Sequence, residues 1–470
     1  HPTSRSSSAA SDVYKRQRLH QVGDIDDPVA GRLELAPGAV LDVAGITQVY
    51  GPESIATAGG SIHLQADTGG IAVANGSLLN VSAGSENLDA GQIGIRLDSR
   101  AMEADETPLA VLEMSSGAIL QSGSRGGRFS LDSHSLVVDG DNSGLAYSAL
   151  SRLLGEGFSD RRSIRLRGQA IEHDAALSVR AHDVRLVSDS ESIVVRGTID
   201  ASGQGIATVR ENGGIIMMAA GDSINIESGA VLRARATPDT SGNPATGIKG
   251  GEVELVALDA DGDDPGSELD RVNLMSGSLI DVSGGENRVF AADDFLVAAE
   301  QQLDGKVRVH TRLLDASSGS FVAGNLDAVI TGAAVNDLVV TNRIEDSSID
   351  ATDIGDMRLQ TQTFMANAPA DVDGFRVTPG LLIESSGNLE INDEWDFFAN
   401  APSNWHFGAD SVTGTLTLRA AGDITVSANL TDSYFDRPGL PPISPDLVDR
   451  LDTAATGAWS YKLAAGSDLA

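Results

Sequence analysis

The sequence predicts an all-β fold, a parallel β-helix with loop insertions between its coils. One glycine-flanked strand recurs six times, and its clearest copy is Gly277–Gly285 (GSLIDVSGG). Apolar and polar residues alternate within the copies, which is the pattern of strands with one buried face. The chain has 52 glycines but only 11 Phe, 3 Trp and 5 Tyr. This composition suits a narrow core of small aliphatic side chains.

The six copies share a turn glycine, a short strand and a second turn of small residues. They are Gly38–Gly45, Gly76–Gly84, Gly117–Ser124, Gly197–Gly203, Gly229–Ala236 and Gly277–Gly285. The long gap between the third and fourth copies predicts a degenerate copy near Leu136–Gly144. Gaps near 40 residues predict two coils of about 20–25 residues between successive copies. The uneven gaps favour a β-helix over a propeller, whose blades recur at regular spacing.

Composition and the positions of glycine and proline divide the chain into five predicted stretches. They are a disordered, non-native tail that resembles adapter sequence over 1–17, regular β-helix repeats over 18–285, a less regular solenoid with larger loops over 286–380, further coils over 381–434, and a proline-rich loop with the terminal strand of a truncated chain over 435–470. Within the less regular stretch, one strand is expected at Met357–Gln360.

Charge and cysteine content exclude several classes of function. The chain has 33 Lys and Arg against 67 Asp and Glu, a net charge of −34. General binding to nucleic acid needs a basic face, so we expect no nucleic-acid partner. Without cysteine there is no thiol chemistry, cysteine zinc site or iron–sulfur cluster. The longest apolar run, Ile215–Ala220, falls well below the roughly 18 residues that predict a membrane span.

A carbohydrate-active β-helix enzyme, either a polysaccharide lyase or a hydrolase, is the main alternative to a structural protein. Such an enzyme would place Asp or Glu side chains close together on one exposed sheet. Asp42, Asp200 and Asp281 occupy one outward position of the repeat. Three other copies carry Asn, Gln and Arg there, which indicates a tolerant position whose side chain caps or solvates the strand end. We therefore expect no catalytic residue and no enzyme activity.

One loop has the carboxylate spacing of an EF-hand. Asp259, Asp261, Asp263 and Asp270 stand at loop positions 1, 3, 5 and 12, where calcium ligands are found. Position 6 is Asp264 instead of glycine, and the last ligand is Asp instead of the usual Glu. The alternatives are a calcium site at these four residues and an acidic, solvated loop between coils. No other cofactor is expected.

The histidines are scattered along the chain and show no zinc-binding motif. His63 and His310 lie in strand-like segments. We expect both side chains to face solvent.

Four segments occur in an order that resembles one protein family. They are GSLIDVSGG, Gly374–Phe398 (GFRVTPGLLIESSGNLEINDEWDFF), Thr415–Asp432 (TLTLRAAGDITVSANLTD) and Trp459–Ala470 (WSYKLAAGSDLA). The chain after the N-terminal tail resembles the filamentous haemagglutinin family, the very large exoproteins of bacterial two-partner secretion. By this resemblance the chain is an internal or C-terminal-region fragment of such a protein.

The resemblance implies a right-handed parallel β-helix and export through an outer-membrane barrel transporter. It implies a secreted protein at the bacterial cell surface, acting as a rigid, rod-like adhesin. Its partners would be receptors or glycans on host cells or other bacteria. Contact-dependent toxin delivery is a second activity that occurs in the family.

Overall fold

The computed structural model describes most of the chain. The described residues are 16–21, 32–66, 69–97, 110–123, 125–205, 210–239, 241–243, 245, 247–257, 271–287, 301–322, 324–397, 405–407, 412–431 and 459–465. The chain divides into two compact units, of which the first comprises 1–255, 273–307 and 327–335, and the second comprises 256–272, 308–326 and 336–470.

Short strands dominate the described residues, with two helices among them. In chain order the elements are β1 Arg16–Gln21, β2 Leu33–Leu35, β3 Val40–Asp42, β4 Thr47–Tyr50, β5 Glu53–Ala56, β6 Ser61–Ala66, β7 Ile71–Val73, β8 Leu78–Asn80, β9 Ala90–Leu97, β10 Val111–Met114, β11 Ile119–Gln121, β12 Gly126–Ser133, β13 Ser135–Val138, α1 Ala146–Leu154, β14 Arg161–Leu166, β15 Ile171–His173, β16 Ser178–Arg180, β17 Asp183–Ser188, β18 Ile193–Val195, β19 Thr198–Asp200, β20 Ile215–Ala220, β21 Ile224–Ile226, β22 Val231–Arg233, β23 Glu252–Ala257, β24 Val272–Leu274, β25 Leu279–Asp281, β26 Glu286–Asn287 and β27 Gln301–Gln302. They are followed by β28 Gly305–Asp315, β29 Ser320–Phe321, β30 Val329–Thr331, β31 Ala333–Glu345, β32 Ser348–Ile349, α2 Ala351–Asn367, β33 Asp371–Val372, β34 Phe375–Ser385, β35 Leu389–Ile391, β36 Trp395–Asp396, β37 Thr415–Ala420, β38 Ile424–Val426, β39 Leu430–Thr431 and β40 Ser460–Ala464.

In the first unit, successive coils place strands on parallel sheets, which confirms the predicted parallel β-helix. The longest sheet begins with the order β1-β6-β9-β12-β14-β17-β20. A second face carries β13-β10-β7-β2 and, separately, β15-β18-β21-β24. A third face carries β11-β8-β3 and, separately, β16-β19-β22-β25-β30. Insertions such as the antiparallel β4–β5 hairpin lie between coils, as the sequence predicts.

The core of the first unit is built from ladders of identical strand positions. Ile62, Ile93 and Phe129 are neighbours in register, and each is at most 1% exposed. Burying such a side chain stabilises the fold by about 1.5–3 kcal/mol. Each coil therefore adds a similar increment to the core when it stacks on the preceding coil.

Consecutive copies of the repeated strand pair directly with one another. Leu41 lies beside Leu79, and Leu79 lies beside the strand that contains Leu120. Ile199, Leu232 and Ile280 form the same kind of ladder further along. The paired copies lie on adjacent coils, so the prediction of two coils per gap was wrong. Insertions within single coils account for the extra length.

The predicted degenerate copy near Leu136–Gly144 was also wrong. That stretch contains β13 and the loop that precedes α1. The missing copy is β16, in which Val179 pairs with Ile199. Leu177 stands where the next copy has its turn glycine, since the Thr198 amide donates to the Leu177 carbonyl. The glycine signal is therefore absent from this copy.

Helix α1 interrupts two of the three faces. At this point the edge of β13 has no neighbouring strand among the described residues, and the side chain of Gln169 forms hydrogen bonds with it. The Leu136 amide of β13 donates to Gln169 Oε1 (2.6 Å), and Gln169 Nε2 donates to the Leu136 carbonyl (3.1 Å). Gln169 Nε2 also donates to the carbonyls of Asn142 and Ser143, each at 2.8 Å. A buried side-chain amide thus takes the hydrogen-bonding role of a strand, because buried backbone groups require partners.

A buried arginine donates hydrogen bonds to backbone carbonyls of the loop that follows α1. Arg162 occupies a core position of β14 and is 2% exposed. Its guanidinium donates to the carbonyls of Gly155 and Gly157, the latter at 2.6 Å. These carbonyls lie just after α1, where the helix dipole favours a cation. Burial lowers the pKa of Arg162 to about 10, which leaves the side chain charged at neutral pH.

His173 is completely buried near α1. Its Nε2 lies 3.1 Å from the Leu177 carbonyl, and the Tyr147 hydroxyl lies 3.5 Å from its Nδ1. Burial lowers the pKa of His173 to about 4 and raises the pKa of Tyr147 to about 12. Both side chains are therefore neutral at physiological pH.

The second unit has a core of different composition. Its parallel strands follow the order β31-β34-β37-β40. All 3 tryptophans of the chain lie in its core cluster. Trp395 stacks on Phe397 with 5.1 Å between ring centroids, and Trp459 Nε1 donates to the Trp405 carbonyl at 2.9 Å. The small-aliphatic core that composition predicts describes most of the first unit, where Phe129, Tyr147 and Phe158 are exceptions, and does not describe this cluster.

Helix α2 occupies the segment where a strand is expected at Met357–Gln360, so that prediction was wrong. Asp350 caps the helix by accepting from the amides of Thr352 and Asp353, and Asp353 accepts from the Asp350 amide. This reciprocal capping box satisfies amides that lack partners within the helix. Phe364 packs edge-on against Phe321. Within the described ranges, neither helix is long and apolar enough to cross a membrane.

The predicted boundaries of the five stretches stay predictions. Strand β1 begins at Arg16, and residues 1–15 of the predicted tail lie outside the described residues. The proline-rich segment 437–445 also lies outside them.

Replacing Gln169 with Met should leave the buried amide and carbonyl of Leu136 without partners. We expect the free energy of unfolding to fall by about 3 kcal/mol, since each orphaned group costs about 1–3 kcal/mol. Urea unfolding followed by far-ultraviolet circular dichroism measures the change. Gln121→Met, at an exposed position of β11, is the matched control and should change little. Equal stability of the two variants would contradict the role of Gln169 as a hydrogen-bonding bridge.

His173 should make stability depend on pH between 6.5 and about 4. The pKa of His173 falls from 6.5 to about 4 on folding, so only the unfolded chain gains this proton as pH decreases through that window. The contribution of His173 is present above pH 6.5, and about 3 kcal/mol is lost by pH 4. Urea unfolding at a series of pH values should show a shallower slope for His173→Gln. An unchanged slope in His173→Gln would contradict this role of His173.

Candidate functional site

The outer face of the long sheet in the first unit carries a polar groove. It crosses β6, β9, β12 and β14 and has a volume of about 370 Å³. Its lining side chains alternate along each strand with the buried core residues. The polar and glycine positions that line it are His63, Gln65, Gly94, Arg96, Ser130, Asp132, Ser163 and Arg165.

Strand register arranges these positions in two rows. The first row is His63, Gly94, Ser130 and Ser163. The second row is Gln65, Arg96, Asp132 and Arg165. Adjacent members of a row are separated by the inter-strand distance of about 4.8 Å. The rows follow the stacking direction of the coils, so the groove presents one pair of side chains per coil.

The side chains of His63 and Ser130 close in on Gly94 in the first row. A Cβ atom at this position would lie 3.0 Å from His63 Nδ1 and 3.3 Å from Ser130 Oγ. The side-chain amide nitrogen of Gln92 lies 3.2 Å from His63 Nε2, so it orients the imidazole beside Gly94. The outward orientation predicted for His63 is confirmed. The prediction for His310 was wrong, because that side chain is only 5% exposed.

The second row alternates in charge. Asp132 lies between Arg96 and Arg165 in register and forms a 2.8 Å ion pair with Arg167. Burial raises the pKa of Asp132, while the positive charges of Arg167, Arg165 and Arg96 oppose that rise. Asp189 holds the Arg165 guanidinium at 2.7 Å. Arg96 is exposed and forms no ion pair with any residue that the structure describes.

These groups can bind a polar, charged ligand along the stack. Arginine and histidine supply hydrogen-bond donors, while serine hydroxyls and Asp132 supply acceptors. Glycoside hydrolysis uses a pair of carboxylates. Asp132 is the sole carboxylate among the described residues that line the groove. The geometry therefore provides a binding surface and one of the two groups that such an enzyme needs.

The outward acids of the repeat cap turns, as the tolerant position predicts. Oδ1 of each accepts from the amide two residues later, with distances of 2.9 Å for Asp42, 2.9 Å for Asp200 and 3.2 Å for Asp281. Asp200 and Asp281 are separated in register by Arg233. The repeat position therefore does not bring two carboxylates side by side in this ladder.

The predicted calcium ligands Asp259, Asp261, Asp263 and Asp270 lie outside the described residues. The calcium site in this loop stays a prediction. Among the residues that the structure does describe, no group of three or more His, Asp or Glu side chains could hold a metal ion.

The sequence analysis missed Arg96, Asp132 and Arg165. They lie on strands between the repeated copies, in segments such as Gly126–Ser133 (GGRFSLDS). Alternation identifies their outward orientation, but the varying coil lengths hide which residues become neighbours. The register of the long sheet provides that information.

No protein-family model, no curated protein and no solved structure matches this chain.

Substitutions at Asp281 and at its neighbour Val282 should differ strongly in their effect on stability. Asp281→Asn retains the oxygen that caps the turn, so we expect stability to change by less than about 0.5 kcal/mol. Val282 is 0% exposed, and Val282→Asp would bury an unpaired charge and open the coil. Limited proteolysis should cut the Val282 variant far faster than either Asp281→Asn or the wild-type chain. Equal cleavage rates would contradict the assignment of inward and outward positions.

Proposed function

We propose that this chain is part of a secreted bacterial exoprotein that attaches cells to other cells or to surfaces. The polar groove on the outer face of the coil stack carries this proposal. It exposes hydrogen-bonding and charged groups on a sheet whose opposite face is fully packed. The resemblance of Gly374–Phe398 and the later segments to filamentous haemagglutinins supports the same function.

The proposed mechanism is display of many weak contacts on a stiff scaffold. Each coil is fixed to its neighbours by backbone hydrogen bonds and core ladders, so loops and groove residues keep their relative positions. Weak contacts in a fixed array add through multivalency. The net charge of −34 favours solubility and self-repulsion outside the cell. The export partner in this proposal is an outer-membrane barrel transporter, and the binding partners are receptors or glycans on cell surfaces.

A polysaccharide-degrading enzyme is the second candidate, and Asp132 favours it. Burial raises the pKa of this carboxyl, a property that general acids share. Asp132 lies in a groove between Arg96 and Arg165, where a protonated carboxyl could donate a proton to the oxygen of a glycosidic bond. The ion pair with Arg167 favours a fixed, structural carboxylate instead.

The proposed adhesive function predicts saturable binding of the purified, fluorescently labelled chain to epithelial or bacterial cells, measured by flow cytometry. Arg96→Gln should reduce this binding, while the matched control Arg180→Gln, at an exposed position of β16, should not. Absence of saturable binding to all cells tested would contradict the adhesive function. For the enzyme, release of reducing ends from polysaccharides that disappears in Asp132→Asn would favour the second candidate.

A further inference from the structure

We propose that the groove binds a linear polysaccharide with a disaccharide repeat in which every second sugar carries a carboxylate. The inference deepens the proposed adhesive function, since it names the class of ligand that the groove takes. It is carried by the direction of the groove, the alternation of charge along it and the neutral row of His63, Gly94, Ser130 and Ser163.

The groove has the direction and the period of an extended sugar chain. It crosses four neighbouring strands, β6, β9, β12 and β14, and so follows the stacking direction. The strands are about 4.8 Å apart. An equatorially linked pyranose chain advances by nearly that distance with each sugar. A polysaccharide laid along the groove therefore places one sugar over each coil.

The charges of the second row select which sugars carry a carboxylate. Arg96 and Arg165 are separated by Asp132, so the two cations are two strand spacings apart, about 10 Å. Carboxylates on every second sugar meet both arginines, and arginine binds carboxylate with charge-assisted, often bidentate hydrogen bonds. The intervening neutral sugar lies over Asp132, which accepts hydrogen bonds from its hydroxyls. A carboxylate on every sugar would place one negative charge against Asp132, which is unfavourable.

The surroundings of each arginine support this assignment. Arg96 is exposed and lacks an ion pair within the described part of the chain, so its charge is directed to the groove. Asp189 contacts Arg165 through Nε and Nη2, which fixes the plane of its guanidinium and offsets part of its charge, so Arg96 is the stronger of the two cations for a ligand. The chain as a whole repels anions because its net charge is −34. Attraction of an acidic ligand therefore depends on the local pattern and should weaken as salt is added.

The first row contributes the neutral half of the site. His63 and Ser130 flank Gly94, and Ser163 follows on the next coil. These groups exchange hydrogen bonds with hydroxyls and ring oxygens without adding fixed charge. A larger residue at position 94 would crowd His63 and Ser130 and project into the groove.

The test measures binding of the intact chain to four polymers by isothermal titration calorimetry. Hyaluronan oligosaccharides carry a carboxylate on alternate sugars, and oligogalacturonate carries one on every sugar. Heparin oligosaccharides carry sulfates in addition to carboxylates on alternate sugars, and dextran is neutral. We expect hyaluronan to bind most tightly and dextran not to bind. Arg96→Gln should weaken hyaluronan binding by about tenfold or more, as loss of a charge-assisted contact does, while Arg180→Gln should not.

Gly94→Val provides a second variant that alters no charge. The three atoms nearest to the Cβ belong to the side chains of His63 and Ser130, which can shift, and valine suits a strand. The variant should therefore keep the wild-type circular dichroism spectrum. We expect it to abolish hyaluronan binding. Unchanged binding in both Arg96→Gln and Gly94→Val would overturn the groove assignment. Tighter binding of oligogalacturonate than of hyaluronan would overturn the disaccharide repeat. Tighter binding of heparin would overturn carboxylate as the recognised group, because sulfate would then carry the binding.

The two proposals can fail separately. If the purified chain binds hyaluronan through Arg96 but binds no cell, the groove assignment stands and the adhesive function fails. If cells are bound equally by the wild-type chain and by Arg96→Gln, which no longer binds hyaluronan, adhesion stands and the groove is not its site.

Discussion

In-register stacking of coils is the constraint on which the structure of the first unit depends. A strand can join the stack only if its inward residues lie directly over those of the preceding coil, as Ile93 lies over Ile62. The same register aligns the outward residues into rows, so the core and the groove have one cause. Loops can vary in length because they do not enter the ladder. A chain with irregular coils can therefore present a regular surface.

Helix α1 shows what stacking requires when it is interrupted. The free edge of strand β13 would leave backbone groups unpaired, and the side-chain amide of Gln169 supplies both a donor and an acceptor to Leu136. The loop after the helix would leave carbonyls unpaired, and the guanidinium of Arg162 supplies donors. Polar residues at core positions are here a consequence of the interruption. At these positions side chains, instead of a neighbouring strand, form the hydrogen bonds to the backbone.

The sequence is sufficient to predict the parallel β-helix, because glycine-flanked copies and alternation report directly on turns and buried faces. It was insufficient to count the coils, since Leu177 replaces a turn glycine and insertions double the length of some coils. Both helices were missed although local signals exist: Ala146, Leu150 and Leu154 follow helical spacing, and Asp350 with Asp353 forms a capping pair. The groove could not be predicted, because Arg96, Asp132 and Arg165 become neighbours only through register over long separations. The calcium loop falls on residues that the structure does not describe.

The concentration of every tryptophan in one cluster of the second unit has an optical consequence. Tryptophan dominates protein fluorescence when excitation avoids tyrosine, so emission from this chain reports the environment of Trp395, Trp405 and Trp459 alone. The first unit is silent in such a measurement, because it contains no tryptophan. Denaturation of the two units can therefore be followed separately in one sample, by emission for the second unit and by backbone signals for the whole chain. The native protein carries a built-in reporter that requires no label.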